Sequence, residues 1–354
     1  MKNSGTNIQI KEIAEKLGVS AGTVSIVLNG RGDAMRISKA TQQRVWTAAK
    51  EMNYQPNIYA RRLRSAGTEA TGKIIAVFWN EEFTDDYMGR FFRGMNRAVK
   101  ENNYNVEFNV QMFEYDRLHK LKDIMTSGRY SGIIIAGSAD GDMDFLNANS
   151  FDLPIVLISR NVDKFHCVYI NDYEVGKNTA RLFQQRGHKK VGLISMQRRS
   201  YSSSVRQLGY LENCTQYQLE VKDDWIQEGE GRDYDSGYDA TKRLLQGDDW
   251  PTAIFVLSPG QALGTMNACK DAGLSVPNDI EVLTYGDSEI FLYSSPTVSS
   301  VFFPVENMAE NALNLLVLIL ENGITMPMGR LLQAEYEFRE SCGGFPQEIS
   351  SYQD

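Results

Sequence analysis

The chain has 354 residues, 42% hydrophobic and 23% charged, with a formal net charge of −8; this composition excludes a disordered chain and suffices for two or three domains with buried cores. Its four cysteines stand far apart without a CxxC pair, which excludes a disulfide framework and a zinc knuckle and indicates reduced thiols. The N-terminus lacks the apolar segment of a signal peptide, and the longest apolar run, at 315–320, is too short to span a bilayer, so we expect a soluble cytoplasmic protein.

Charge is distributed unevenly along the chain. Residues 1–66 contain eleven Lys or Arg and four Asp or Glu, a net charge of +7, so the remaining residues carry −15. A basic segment at the start of an acidic chain is typical of a module that binds a polyanion such as DNA. An ordinary basic tail gives the same pattern.

Three short helices are predicted in this basic segment. The apolar residues at helical spacing are Ile10, Ile13, Ala14 and Leu17, then Val24, Val27 and Leu28, and finally Val45, Ala48, Ala49 and Met52. Gly18 suits the left-handed position that ends the first helix, and Ser20 and Ser38 suit the N-caps of the second and third. Because the outward face of "GVSAGTVSIVLNG" carries no charge and mostly small side chains, it fits a DNA major groove, as in a helix-turn-helix.

Two long stretches of the sequence resemble a known family. "IKEIAEKLGVSAGTVSIVLNG" and "ISKATQQRVWTAAKEMNYQPNIYARRLRSAGT" are similar to the DNA-binding head and hinge of the lactose repressor and galactose repressor family of bacterial transcription regulators. Weaker matches, such as "VGKNTARLFQQRGHKKVGLIS" and "AGLSVPNDIEVLTYGD", extend the resemblance over nearly the whole chain. It implies a sequence-specific regulator, expected to be a repressor, with palindromic operator DNA, a small-molecule effector and a second copy of itself as partners. It implies no catalytic residue, metal or cofactor.

The resemblance also implies which head residues contact DNA. Base-reading positions fall on Ala21, Gly22 and Ile26, and Thr23 and Ser25 lie where family members contact phosphates or bases. The family often has Arg at the position of Ile26 and a larger polar residue at that of Gly22, so the half-site is expected to differ. Ile26 either presses on a thymine methyl or belongs to the core of the head.

"QPNIYARRLRS" resembles the family's hinge helix, which pairs with its twofold mate in the minor groove. Leu63 matches the apolar wedge between base pairs; the alternative is a solvated basic linker. So short a helix is marginal in water and is expected to form only with a partner and DNA. The full set of expected DNA contacts is Ser20, Ala21, Gly22, Thr23, Ser25, Ile26, Asn29, Asn57, Ala60, Arg61, Leu63 and Arg64.

From residue 72 onward, strands and helices alternate. The continuous apolar runs "KIIAVFW", "GIIIAG", "PIVLIS", "KVGLIS", "TAIFVL" and "IEVLTY" predict strands buried on both faces. The pattern occurs twice and predicts an α/β core of two doubly wound parallel-sheet subdomains, periplasmic-binding-protein-like. Expected boundaries are 1–55 for the helix-turn-helix head, 56–70 for the hinge helix and linker, 71–170 with 301–328 for the first subdomain, and 171–300 with 329–345 for the second, within a core of 71–354.

The effector is expected beyond the carboxyl ends of the strands. By resemblance Tyr87 and Met88 line this cleft and Arg206 grips the effector, unless Arg206 only pairs with a carboxylate across the subdomain interface. The full set of expected effector contacts is Tyr87, Met88, Ser138, Arg160, Arg206, Arg232, Ser258 and Asp287.

The cleft departs from the pattern of members that bind neutral sugars. Those members present Asp where this chain has Ser159 and Gly286, and an Asn-Asp pair where it has Ser258 and Pro259. Arginines remain without matching acceptors, and guanidinium groups suit carboxylate or phosphate. The sequence therefore favours an anionic effector, such as a sugar acid or a sugar phosphate, or an otherwise unusual one, over a neutral sugar.

An enzyme or a solute-binding protein could use the same scaffold. An enzyme needs a nucleophile with a base, or a metal cluster, but His119, His166 and His188 are scattered and the sequence has no HExxH, GxSxG or phosphate-loop motif. His166 and Cys167 are adjacent, yet neighbours on a strand point to opposite faces. A solute-binding protein would carry a signal peptide and no basic head. The sequence therefore favours a DNA-binding regulator.

Overall fold

Residues 10–28, 32, 33, 35–52, 72–83, 86–198 and 200–343 are described in the computed structural model. Their helices are α1 Ile10–Leu17, α2 Ala21–Leu28, α3 Lys39–Glu51, α4 Asp86–Asn102, α5 Lys122–Met125, α6 Asp140–Ala148, α7 Asp172–Gln185, α8 Tyr201–Gln216, α9 Tyr234–Leu244, α10 Pro259–Asp271 and α11 Val305–Asn322. Their strands are β1 Lys73–Asn80, β2 Val106–Phe113, β3 Gly132–Ala136, β4 Ile155–Ile158, β5 His166–Ile170, β6 Val191–Met196, β7 Ile226–Gly229, β8 Ala253–Val256, β9 Glu281–Tyr285, β10 Ser299–Phe302, β11 Gly329–Leu332 and β12 Glu335–Glu337. None of the helices in these ranges has both the length and the apolar composition needed to cross a bilayer.

Helices α1, α2 and α3 pack around one apolar core, within the first of two compact units. The buried members of this core are Ile13, Ala14, Val24, Val27, Leu28, Val45, Ala48 and Ala49. Gly18 ends α1 with a left-handed φ of +65°. The hydroxyls of Ser20 and Ser38 accept the amides of Thr23 and Thr41 at 3.0 and 3.2 Å. The predicted three-helix arrangement and both serine caps are thus confirmed.

The second unit contains two six-stranded sheets with the same connectivity. Strand order is β11-β5-β4-β3-β1-β2 in the first sheet and β12-β10-β9-β8-β6-β7 in the second. The central pairs are parallel, as in β1–β3 and β6–β8, and the edge pair β10–β12 is antiparallel. The predicted pair of doubly wound subdomains, repeated along the chain, is confirmed.

Helices cover both sheets and bury their faces. In the first subdomain α4 and α11 pack together, and the apolar run at 315–320 contributes Leu315, Leu316 and Ile319 to the core. In the second, α7 and α8 cover one face and α9 and α10 the other, so adjacent residues of β6 such as Leu193 and Ile194 enter different cores. The carboxyl ends of the parallel strands are left for loops.

Two predicted subdomain boundaries differ from the structure. Residues 301 and 302 were expected in the first subdomain but belong to β10 of the second sheet. Residues 329–332 were expected in the second subdomain, but β11 pairs in parallel with β5 in the first sheet, with Gly329 opposite Cys167. The backbone groups at the open edge of β5 find partners there, which a polar, half-exposed segment does not reveal in sequence. The chain therefore crosses back after Leu332, just before β12 joins the second sheet.

Candidate DNA-reading helix and ligand cavity

The outward face of α2 carries small and hydroxyl side chains. Ala21 and Gly22 are exposed, and Thr23, Ser25 and Ile26 are half-buried. Ile26 is not among the apolar residues that pack against the core of the head, which favours the base-reading position over the core position. The face that remains is free of charge and suits the edges of bases in a major groove.

Six of the twelve expected DNA contacts lie outside the described residues. Their roles stay predictions: Asn29, Asn57, Ala60, Arg61, Leu63 and Arg64. The expected boundaries of the head and of the hinge also stay predictions. Ser20 is described, and its hydroxyl already caps α2 through Thr23.

A cavity lies between the two sheets at the carboxyl ends of their strands. Its lining residues are Trp79, Tyr87, Phe91, Ala136, Gly137, Ser138, Ile158, Ser159, Arg160, Ser200, Tyr201, Ser202, Ser203, Arg206, Arg232, Tyr285, Phe303, Val305 and Met308. The cavity has a volume of about 70 Å³, and one buried water needs about 10–15 Å³. The cavity is thus large enough for several waters or for a small ligand in their place.

Both subdomains contribute to the lining of the cavity. The first supplies the end of β1 at Trp79 and the loops after β3 and β4, at Ser138 and Arg160. The second supplies the first turn of α8, the loop after β7 at Arg232, and the end of β9 at Tyr285. In open parallel sheets, ligands bind in the crevice beyond the carboxyl ends of the strands, at the point where the strand order reverses.

Arg206 on α8 lines the cavity and contacts two neighbouring side chains. Its Nη2 atom lies 2.5 Å from Oδ1 of Asp172 in the first turn of α7, and its guanidinium lies over the ring of Tyr285. Arg206 and Asp172 belong to the same subdomain, so this ion pair does not cross the interface, as the alternative interpretation required. Burial raises the pKa of Asp172 to about 6, although Arg206 favours its charged form.

Three buried polar atoms of α8 have no hydrogen-bond partner among the described residues: Oγ of Ser203, Nε of Arg206 and Oε1 of Gln207. Gln207 does not line the cavity, whereas Ser203 and Arg206 do, and each of these two is only 3% exposed. Buried donors are nearly always paired in native proteins, and an unpaired one costs about 1–3 kcal/mol. Both residues line the cavity, so a ligand there could satisfy them.

Several contacts close the two subdomains over the cavity. Nη1 of Arg90 on α4 lies 2.8 Å from Asp287 in the loop after β9, and the Arg160 guanidinium lies 4.4 Å from the ring centroid of Tyr201 on α8. The hydroxyl of Tyr87 approaches the backbone of Gly286 so closely that a Cβ atom there would collide with it. The cleft is therefore closed in this structure.

The structure brings five of the eight expected effector contacts to the cavity. Those five are Tyr87, Ser138, Arg160, Arg206 and Arg232. Asp287 instead neutralises Arg90, and the Ser258 hydroxyl donates to the backbone carbonyl of Arg232 at 2.8 Å. Met88 is half-buried against the core of the first subdomain. The prediction that these three residues line the cavity is therefore wrong.

Other lining residues were not anticipated from the sequence. Trp79 and Phe303 supply apolar surface, Tyr285 lies under Arg206, and Ser203 offers a hydroxyl. Ser203 belongs to a run of serines in the first turn of α8, which in sequence indicates a helix start and not a ligand contact. The described residues hold no group of His, Cys, Asp or Glu side chains arranged to bind a metal ion.

Comparison with known proteins gives a consistent result over the whole chain. The family model "Bacterial regulatory proteins, lacI family" matches residues 9–57, and "Periplasmic binding protein-like domain" matches residues 180–342. The probable HTH-type transcriptional repressor ExuR of Bacillus subtilis (strain 168) is 29% identical over 94% of this chain and 98% of its own length. A LacI family transcription regulator from Clostridium acetobutylicum has a TM-score of 0.71 at 27% identity, covering 75% of this chain and 99% of that chain. The lac repressor dimer bound to operator and the anti-inducer ONPF shares the fold, with a TM-score of 0.67 at 21% identity, covering 95% and 99%.

A helix-turn-helix head joined to a two-sheet core with a ligand cavity defines a DNA-binding transcriptional regulator of the effector-responsive class. The chain belongs to the LacI family of bacterial regulators, with a helix-turn-helix head and a periplasmic-binding-protein-like effector domain. The family predicted from the sequence is confirmed.

Proposed function

We propose that this protein is a transcriptional repressor that binds a palindromic operator as a homodimer, and that a sugar, sugar acid or sugar phosphate in the cavity controls its affinity for DNA. The observation that carries the effector part is the cavity itself, which is lined from both subdomains. A ligand that touches both subdomains stabilises the closed arrangement over an open one. Its effect on DNA binding is limited by its differential affinity for the two arrangements, typically about 1–3 kcal/mol. We further propose that it acts in the bacterial cytoplasm, where the chromosome is.

Dimerisation is supported by an exposed apolar segment in the second subdomain. Ile290, Leu292 and Tyr293 are 51%, 53% and 76% exposed within one short stretch after β9. Apolar clusters on a surface are typical of interaction sites. A single short recognition helix reads few base pairs, and two heads related by a twofold axis read two half-sites. The similar lac repressor structure is a dimer on its operator.

The DNA-binding proposal is tested by selecting operators from random duplex DNA with the full-length protein, followed by fluorescence anisotropy. Gly22→Glu places a carboxylate on the exposed face of α2, where Gly22 has only an ordinary contact with Ser20. We expect at least about a tenfold loss of operator affinity, because a carboxylate in the groove opposes acceptors and phosphates. Gln43→Glu adds the same charge at an exposed position of α3 and serves as the matched control.

The same binding assay tests whether the protein recognises its operator as a dimer. The full palindrome is expected to bind far more tightly than a single half-site, and the protein is expected to sediment as a dimer at micromolar concentration. Equal affinity for the two duplexes, or equal losses from Gly22→Glu and Gln43→Glu, contradicts the proposed mode of reading.

A further inference from the structure

We propose that the effector carries an anionic group, a carboxylate or a phosphate, and that this group binds at the N-terminus of α8 against Ser203 and Arg206. This inference rests on the proposed function, because it assigns a ligand chemistry to the same cavity. The proposed function leaves neutral and acidic sugars open. This inference specifies the charge of the ligand, the place where its anionic group binds and the residues that bind it.

The first support is the charge of the lining. Among the described residues that line the cavity, Arg160, Arg206 and Arg232 are cationic and none is Asp, Glu, Asn or Gln. Arg160 and Arg206 are paired with carboxylates outside the lining, Asp140 and Asp172, but the described surface that faces a ligand carries no acidic side chain. A neutral sugar presents many hydroxyl donors, which carboxylates and amides accept. The acceptors here are serine and tyrosine hydroxyls and backbone carbonyls, while guanidinium groups supply donors. The lining is therefore complementary to a ligand that brings acceptors and negative charge.

The second support is the position of the unpartnered donors. Ser203 and Arg206 lie three residues apart on α8, so their side chains lie on the same side of the helix. Oγ of Ser203 and Nε of Arg206 are both buried, line the cavity and lack a partner among the described residues. The hydroxyl and the Nε–H can donate to two oxygens of one anionic group.

The third support is the end of the helix itself. The first turn of α8, from Tyr201 to Ser203, lines the cavity, and Ser200 is its N-cap. The amides of Tyr201 and Ser202 have no carbonyl to bond within the helix, and the macrodipole adds positive potential at this end. α8 is 16 residues long. Helix-end amides, a buried hydroxyl and a guanidinium thus belong to residues that line the same end of the cavity, a set of donors that suits an anionic group.

The rest of the cavity defines the body of the ligand. Trp79, Phe91, Phe303, Val305 and Met308 make up an apolar wall. The C–H faces of a sugar ring or of a sugar-acid chain pack well against aromatic and aliphatic side chains. A small polyol with one acidic end fits both parts of the lining. A free inorganic anion would leave the apolar wall unoccupied.

The test uses isothermal titration calorimetry on the full-length protein with matched probes. D-glucose, D-galactose and D-mannose are each compared with their uronate, aldonate and 6-phosphate, which separates carboxylate from phosphate. We expect at least one acidic member to bind at least about tenfold more tightly than its neutral parent, the effect of a hydrogen-bonded charge. Ser203→Ala is expected to weaken that binding by about tenfold, whereas Ser204→Ala, on the same turn but exposed, leaves it unchanged.

Three results overturn the inference. These are tighter binding of a neutral sugar than of its acids, absence of binding by every anion in the panel, and equal effects of Ser203→Ala and Ser204→Ala. A neutral sugar that binds and changes operator affinity overturns the anion assignment and leaves the proposed function intact. A protein that binds no operator overturns the proposed function whatever the calorimetry shows.

Discussion

Replacing Gly286 tests whether the subdomains close as the structure shows. Gly286 has φ +84°, and a Cβ atom there would collide with the hydroxyl of Tyr87 and press on Pro259. An alanine in the left-handed region costs about 1–2 kcal/mol, and overpacking against a buried neighbour costs about 1–3 kcal/mol more. We therefore expect Gly286→Ala to lower the free energy of unfolding by about 2–5 kcal/mol, or to open the cleft.

The matched control is Gly273→Ala. Gly273 has φ +79°, but nothing lies within 4 Å of the Cβ position, so the control has the backbone strain without the collision. Urea unfolding measures the free energies, and small-angle X-ray scattering measures any opening. A double-mutant cycle with Tyr87→Phe, which removes the colliding hydroxyl, is expected to show a coupling of at least about 1 kcal/mol. Equal destabilisation by the two alanines, with no coupling to Tyr87, would refute the closed arrangement.

Three further predictions concern the buried carboxyl group of Asp172 and two residues of the predicted hinge, Leu63 and Arg61. Because burial raises the pKa of Asp172 to about 6, the folded state binds its proton more tightly than the unfolded state, and stability falls as pH rises from about 4 to 6. Asp172→Asn should lose that part of the pH dependence in urea unfolding at several pH values, and an unchanged profile contradicts the assignment. Leu63→Ala should strongly weaken operator binding but not random-DNA binding in gel shifts, since a wedge acts only where DNA bends; equal losses on both exclude a wedge. Arg61→Ala should lower the slope of log affinity against log salt by about 0.9 if the side chain neutralises one phosphate, and an unaltered slope argues for base reading.

The long apolar strands were predictable from sequence, but the buried strands β5 and β10, whose sequences include His166, Ser299 and Ser300, and the sheet edges were not. The six apolar runs correspond to β1, β3, β4, β6, β8 and β9, because strands covered on both faces exclude polar residues. β2 is an edge strand of mixed polarity with exposed Val110 and Met112, and β11 is half-exposed. Such strands are defined by their hydrogen-bonding partners, which lie far away in the chain. Their sequences carry little signal.

Residues of the cavity were predictable where the resemblance to the family supplied a position. They were less predictable where a side chain forms an ion pair with a residue far away in the sequence. Arg206 was expected in the lining and is there. Asp287 was expected there too, but its partner Arg90 is 197 residues away in sequence, so nothing local to Asp287 shows that its charge is already neutralised. Ser203 was overlooked because a serine in a first turn ordinarily indicates helix capping. Its burial and lack of a partner are properties of the folded chain alone.

The last strands of the two sheets have a consequence for the order of synthesis. β11 completes the first sheet and β12 the second, and both lie within residues 329–337. A ribosome adds about 5–20 residues per second, so α1, α2 and α3 emerge well before this segment does. Among the described residues of the head, the core and the side chains packed on it end at Met52, whereas each sheet lacks one strand until residues 329–337 have been added. During translation a nascent chain thus holds a complete helix-turn-helix while neither half of its effector domain can be finished.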